Sequence, residues 1–341
     1  MQKNYMKVLE DIQQRPLRKL NDRVLLVDGM NLFIRNFALV KSLNRDGHHV
    51  GGMVGFLRSL GYLVRILDPT RVIIVFEGRG GSVNRKNVDS NYKANRDIKL
   101  ITNWGLFDDK AQEHASMVDQ QEKLLDYLAY LPVHTISVDK LEADDLIAYL
   151  SFKISKSGKE GIIVSSDHDF YQLVSDQISI YSPIKKIMYT PENIQEVIGA
   201  SPINYPIVKA LVGDTSDNLS GVRGAGVKTV MKEFPELAKS TVCSLDRIYE
   251  ISEQKLGTKK IHAQIIDDWD KVVSNYRLMN LHREILDDTE AEIVAKALNK
   301  PIPQLQTGPF LRMLESDKVE GITTNTEQWL QVFSVLNSFN S

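Results

Sequence analysis

Four times in this chain a short apolar run ends on a carboxylate. Val24-Leu25-Leu26-Val27 stops at Asp28, and Val72-Ile73-Ile74-Val75-Phe76 stops at Glu77. Val133 to Val138 is followed by Glu142, Asp144 and Asp145, and Gly161-Ile162-Ile163-Val164 by Asp167 and Asp169. Continuous apolar runs of this length suit strands of a parallel sheet covered on both faces. Between them the spacing turns helical: Met53, Phe56, Leu57, Leu60, Leu63 and Val64 mark a helix from Gly52 to Leu67. A second amphipathic stretch runs from about Gln112 to Tyr130. This alternation predicts an α/β fold with a mostly parallel central sheet flanked by helices. Ligands of such sheets bind beyond the carboxyl ends of the strands, the edge on which these acids fall. One acid after one strand is ordinary loop polarity. Four point to a shared cation.

The chain of 341 residues, 43% hydrophobic and 25% charged, is long enough for one large or two modest globular units. Its single cysteine, Cys243, excludes an internal disulfide framework and a cysteine-built zinc site. No signal-peptide core and no apolar stretch of membrane-spanning length occurs, so a soluble cytoplasmic protein is expected. The net charge of -2 says little, but the charge is unevenly spread. Residues 1–20 read as an N-terminal extension carrying a polar amphipathic helix that ends near Pro16. Residues 21–200 read as the core, 201–300 as a helical region with a small basic patch at Lys255, Lys259 and Lys260, and 301–341 as a tail. In the tail, Trp329, Leu330, Phe333, Val335 and Leu336 make an amphipathic segment, expected to pack on the core or serve a partner.

Two loops stand out. Residues 79–111 are too long for an ordinary connection. Between Arg79 and Lys99 they carry six basic residues (Arg79, Arg85, Lys86, Lys93, Arg96, Lys99) against Asp89 and Asp97, with Tyr92 and Trp104 adding aromatic surface. That mixture suits a phosphate backbone with stacked bases. After a helix from Tyr205 to Val212 comes Gly213-Asp214-Thr215-Ser216-Asp217-Asn218, then glycines at Gly221, Gly224 and Gly226 ahead of Lys228 and Thr229. Glycines opening a helix present N–H groups to phosphate. A nucleotide-triphosphate loop needs glycine directly before the lysine; Val227 stands there, so the readings kept are a nucleic-acid backbone phosphate as ligand and, as the alternative, a plain helix–turn–helix corner.

Gathered together, Asp28, Glu77, Glu142, Asp144, Asp145, Asp167, Asp169, Asp214 and Asp217 would repel strongly without cations. Oxygen-only ligation points to magnesium or manganese. Two such ions about 3.5–4 Å apart are the standard arrangement for phosphodiester hydrolysis. His168, a lone imidazole between two acids, reads as structural or exposed.

The chain resembles the 5′-nuclease superfamily: flap endonucleases, the 5′-nuclease domain of bacterial DNA polymerase I, and phage 5′–3′ exonucleases, including those called ribonuclease H. The resemblance rests on Val27-Asp28-Gly29-Met30-Asn31, Val75-Phe76-Glu77-Gly78, Tyr92-Lys93-Ala94-Asn95-Arg96, Glu142-Ala143-Asp144-Asp145, Ser166-Asp167-His168-Asp169 and Gly213 through Thr229, in family order. It implies a PIN-like core and two magnesium ions, with manganese as a substitute. Asp28, Glu77, Glu142 and Asp144 would surround the first ion. Asp144 would bridge to a second held by Asp167, Asp169, Asp214 and Asp217, with Asp145 nearby. Lys93 and Arg96 would contact the scissile phosphate and Tyr92 a base, within a helical arch over residues 79–120. The glycine turn would belong to a helix–three-turn–helix element that grips duplex and holds a potassium ion.

Structure-specific cleavage near 5′ ends of flaps, nicks and RNA-primed duplexes is the implied activity, by a monomer removing primers in phage replication in the host cytoplasm. Single-strand-binding protein and a sliding clamp are the implied partners. The family usually has aspartate where this chain has Glu77, which is one methylene longer. The rivals are a non-catalytic binder of branched DNA and a haloacid-dehalogenase-like phosphatase. The latter needs an aspartate two residues after its nucleophile; Met30 stands there after Asp28.

Overall fold

The computed structural model describes residues 18–81, 85, 101–102, 105–282 and 286–339. β1 (Arg23–Asp28) leads into α1 (Gly29–Leu39), α2 (Gly51–Leu67), β2 (Arg71–Val75), α3 (Lys110–Leu128), β3 (His134–Ile136), α4 (Ala143–Lys156) and β4 (Glu160–Val164). A 3-10 turn over His168–Leu173 precedes β5 (Ile178–Ser182) and β6 (Ile187–Tyr189). These strands form one sheet in the order β3-β2-β1-β4-β5-β6, parallel from β3 to β5 and closed by antiparallel β6. The expected α/β fold with a mostly parallel sheet is therefore present. Alternate residues of β1 feed two cores: Val24 and Leu26 face one, Leu25 and Val27 the other. That two-sided burial is why the strand reads as an unbroken apolar run.

The run from Val133 to Val138 yields a strand only over His134–Ile136; β3 is an edge, with β2 as its sole sheet neighbour among the described residues. β5 and β6 lie outside the runs legible in the sequence; Ser179 and Ser182 interrupt the apolar residues of Ile178–Ser182, and β6 is three residues long. Beyond them lie α5 (Pro191–Ile198), α6 (Tyr205–Val212), the short ribbon β7 (Gly213–Asp214) with β8 (Leu219–Ser220), and α7 (Val227–Glu233). Then follow α8 (Leu245–Gln254), α9 (Lys260–Asp267), α10 (Trp269–Met279), α11 (Asp288–Leu298), α12 (Thr307–Ser316), α13 (Thr326–Gln331) and α14 (Ser334–Asn337). Ile207 and Leu211 of α6 and Val272 of α10 share one core with Leu146 and Ile147 of α4. In the tail, Trp329, Leu330, Phe333 and Leu336 are buried in the opposite core, while Val335 is exposed. Gly61 of α2 lets this tail close in: a Cβ there would fall 2.1 Å from the Trp329 indole nitrogen. No helix among the described residues is long and apolar enough to cross a membrane.

Candidate active site

β1 is flanked by β2 on one side and β4 on the other, so the strand order reverses beside it. The crevice beyond the carboxyl ends of β1 and β4 is the switch point of the sheet. Asp28, the last residue of β1, is buried there and caps α1, accepting from Asn31 N at 3.0 Å. Its other oxygen accepts from the Ser165 hydroxyl at 2.9 Å, which ties it to the end of β4. Asn31 completes the link by accepting from Ser166 N at 3.1 Å.

Two groups of acids gather near this edge, each around a cation of the protein itself. Glu142 stands at the N-cap position of α4 without a side-chain bond to the helix amides, and Asp144 and Asp145 fill the first turn, where the helix dipole favours negative charge. The buried Arg85 guanidinium sits among all three. It pairs with Glu142, donates to Asp145 at 2.8 Å and lies 3.7 Å from Asp144. In the second group the buried Lys209 of α6 donates to Asp169 and, at 2.6 Å, to Asp214. Burial alone would raise the Asp214 carboxyl. The Lys209 ammonium and two Ser216 donors outweigh it and hold the pKa at about 2. Asp167 caps the 3-10 turn and accepts from Asp169 N at 2.8 Å. Asp217 is buried in the turn between β7 and β8.

Glu77 is exposed and lies against Gly81. It borders a cleft with Met30, Phe76, Gln121 and Leu125, outside both acid groups. Arg85, expected on a DNA-facing surface, is instead buried, because three carboxylates offer its fork more than solvent does. Arg79 is exposed, with its N–H donating to Asp139 at 3.2 Å. Lys93, Arg96 and Tyr92 lie outside the described residues, as does the helix expected before Pro16. His168 stacks on Tyr171 at 4.8 Å, and burial, aided by Lys185, pushes its pKa down. Lys209 escaped the sequence reading. Its signal is a lone charge in the otherwise apolar Tyr205–Val212 helix, which requires a buried partner.

The glycine turn joins α6 to α7. A Cβ on Gly221 would fall 2.0 Å from the Val212 carbonyl oxygen, so two backbone segments cross there. On the outer side, Gly224 and Gly226 have open space, and Arg223 and Lys228 are exposed, with Thr229 half-buried behind them.

Among the described residues, no three carboxylate, imidazole or thiol groups stand close enough as placed to hold an ion. The donor chemistry nonetheless fits a hard divalent cation: oxygen ligands only, already converging on positive centres in two places.

The model of the 5'-3' exonuclease N-terminal resolvase-like domain matches residues 23–199, more than half of the chain. A 5'-3' exonuclease of Buchnera aphidicola is 28% identical over 279 residues, 80% of this chain and 91% of that protein. Thermostable DNA polymerase I of Thermus thermophilus is 33% identical over 236 residues, 68% of this chain; the chain spans only 26% of that polymerase. Among solved structures, a bacteriophage T5 flap endonuclease in complex with DNA and metal ions superposes with a TM-score of 0.62 at 20% identity, covering 86% of this chain and 99% of that one. The matched domain covers more than half of the chain, and the chain belongs to the 5'-3' exonuclease family.

Proposed function

We propose that the chain is a divalent-metal-dependent 5′ nuclease that hydrolyses phosphodiester bonds near 5′ ends of flaps, nicks and RNA-primed duplexes, selecting structure over sequence. The observation that carries this reading is the gathering of acids from distant parts of the chain around two buried cations at one edge of the sheet. Magnesium, or manganese in its place, would be held by Asp28, Glu142 and Asp144 on one side and by Asp167, Asp169, Asp214 and Asp217 on the other, with Asp145 alongside. When bound, the ions supply a more acidic water and compensation for the leaving oxygen. Glu77, which is exposed, would contribute to the first group through water. Ser165 orients Asp28, and Ser216 orients Asp214. Lys209 holds the Asp214 carboxyl in its ionised form and pairs with Asp169. Lys93 and Arg96 stabilise charge on the phosphate, and Tyr92 stacks on a base.

By this reading residues 21–200 are the nuclease core, with an arch over 79–120. Residues 201–300 grip duplex through the glycine turn, Lys228 and Thr229, with a potassium ion at the carbonyls of that turn. The tail over 301–341 serves a replication partner such as a clamp or single-strand-binding protein, in phage-type primer removal. The test is a magnesium-dependent digest of 5′-labelled flap, nicked, blunt and RNA-primed duplexes. Asp144→Asn should lose nearly all cleavage while still retarding flap DNA in a gel; near-normal turnover would remove Asp144 from the chemistry. Lys93→Ala should slow single-turnover cleavage by about 10²-fold or more.

A further inference from the structure

Arg85 is the least expected cation in the molecule. It stands in a basic stretch, where side chains ordinarily point to solvent, yet it is among the most buried charges described. Its three carboxylate neighbours, Glu142, Asp144 and Asp145, come from the cap and first turn of α4, so their spacing is fixed by the helix. A planar guanidinium several ångströms across spreads these oxygens around its two nitrogens. A small divalent ion needs the oxygens of Glu142 and Asp144 drawn to about 2.0–2.1 Å from one point. Those two carboxylates both face Nη1 of Arg85. An ion between them would lie within a few ångströms of a fixed positive charge, in a setting too dry to screen the repulsion.

We infer that Arg85 is a built-in competitor of the divalent ion: it neutralises the acids of α4, and an ion enters that group only as the guanidinium withdraws. The inference rests on the metal reading above. Arg85 is then a positioning residue, not a catalytic one. Its withdrawal from the acids is a cost carried by every ion that binds, and the apparent affinity falls by the fraction of molecules in which the acids are free of it. Arg85 also supports the fold, since it offsets part of the repulsion among three carboxylates crowded at one helix start.

The experiment measures Mn2+ binding to the full chain by the electron paramagnetic resonance signal of free Mn2+, together with thermal melting in chelator and in Mn2+. Arg85→Gln should melt lower than wild type in chelator, yet bind Mn2+ about tenfold tighter or more and gain more from it in melting temperature. Arg85→Lys, which keeps a charge without the fork, should fall between the two. If Arg85→Gln is unfolded in chelator, refolding on addition of Mn2+, followed by circular dichroism, reads the same exchange. Equal or weaker Mn2+ binding by both variants overturns the inference and makes Arg85 a supporter of the metal site. If neither wild type nor variant binds Mn2+, the metal reading of the acids fails as well, so the two failures are distinguishable.

Discussion

Lys209 shows how one side chain sets the charge state of a site. Its ammonium is shared by Asp169 and Asp214, and all three side chains are largely buried. Removing one member of such a group costs more than the group contributes, because a charge is left behind in a poor solvent. Lys209→Met should therefore lower stability by about 3 kcal/mol in urea unfolding with chelator present. The sign with pH is specific. In the wild type Asp214 titrates at about 2, below its ordinary 3.8, so its stabilisation is present above that ordinary value and is lost as pH falls through about 2. Without Lys209, burial is opposed only by the two Ser216 donors, and the Asp214 carboxyl moves up from about 2. Acid then takes less stability from the variant than from wild type, and its deficit against wild type shrinks as pH falls. A deficit that grows in acid would show that Lys209 does not control Asp214.

At the scale of elements, the turn between α6 and α7 separates two kinds of glycine. At Gly221 the added methyl of alanine would overlap the Val212 carbonyl at 2.0 Å, with backbone as the obstacle. At Gly224 the φ of +83 is unfavourable to a side chain, but nothing lies within 4 Å. Gly221→Ala should cost at least about 2–3 kcal/mol and disturb the ribbon beneath the turn. Gly224→Ala should cost about 1 kcal/mol, the strain of a left-handed residue. Equal losses in chemical denaturation would mean that the close crossing is not what requires Gly221. This turn was legible from glycine spacing, as were α6 to the residue and four of the six strands, because burial on both sheet faces leaves a continuous apolar run. β5 and β6 were not, since the serines of β5 and the short length of β6 break that pattern. Most of the acids were legible as residues at or just past strand ends, because apolar runs stop ahead of them. Their grouping was not. Arg85 precedes Glu142 by 57 residues, and a charge in a basic stretch gives no sign of burial.

For the whole molecule, three histidines join segments far apart in the chain, and each is held neutral by burial. His49 contacts the Val40 carbonyl at 3.0 Å and Gln120 of α3 at 3.2 Å. His134 of β3 lies 2.7 Å from Arg71 and 3.1 Å from the Lys300 carbonyl, which fastens the chain after α11 to the sheet edge. His282, just after α10, meets the Gln172 carbonyl at 2.9 Å and so ties the helical region to the turn after β4. Burial lowers all three below the ordinary 6.5, and Arg71 lowers His134 further. As pH falls past about 6.5 the unfolded chain takes up protons that the folded one refuses, so stability falls with pH. That loss begins well above the range in which Asp214 titrates and is separable from it. The melting temperature should drop by about 5 °C or more between about pH 7 and pH 5. His134→Gln keeps an acceptor for Arg71 and a donor for Lys300 without a titrating ring, and should flatten part of that slope while melting near wild type at pH 7. A melting temperature unchanged across this interval would mean that the three contacts survive protonation and do not couple pH to the fold.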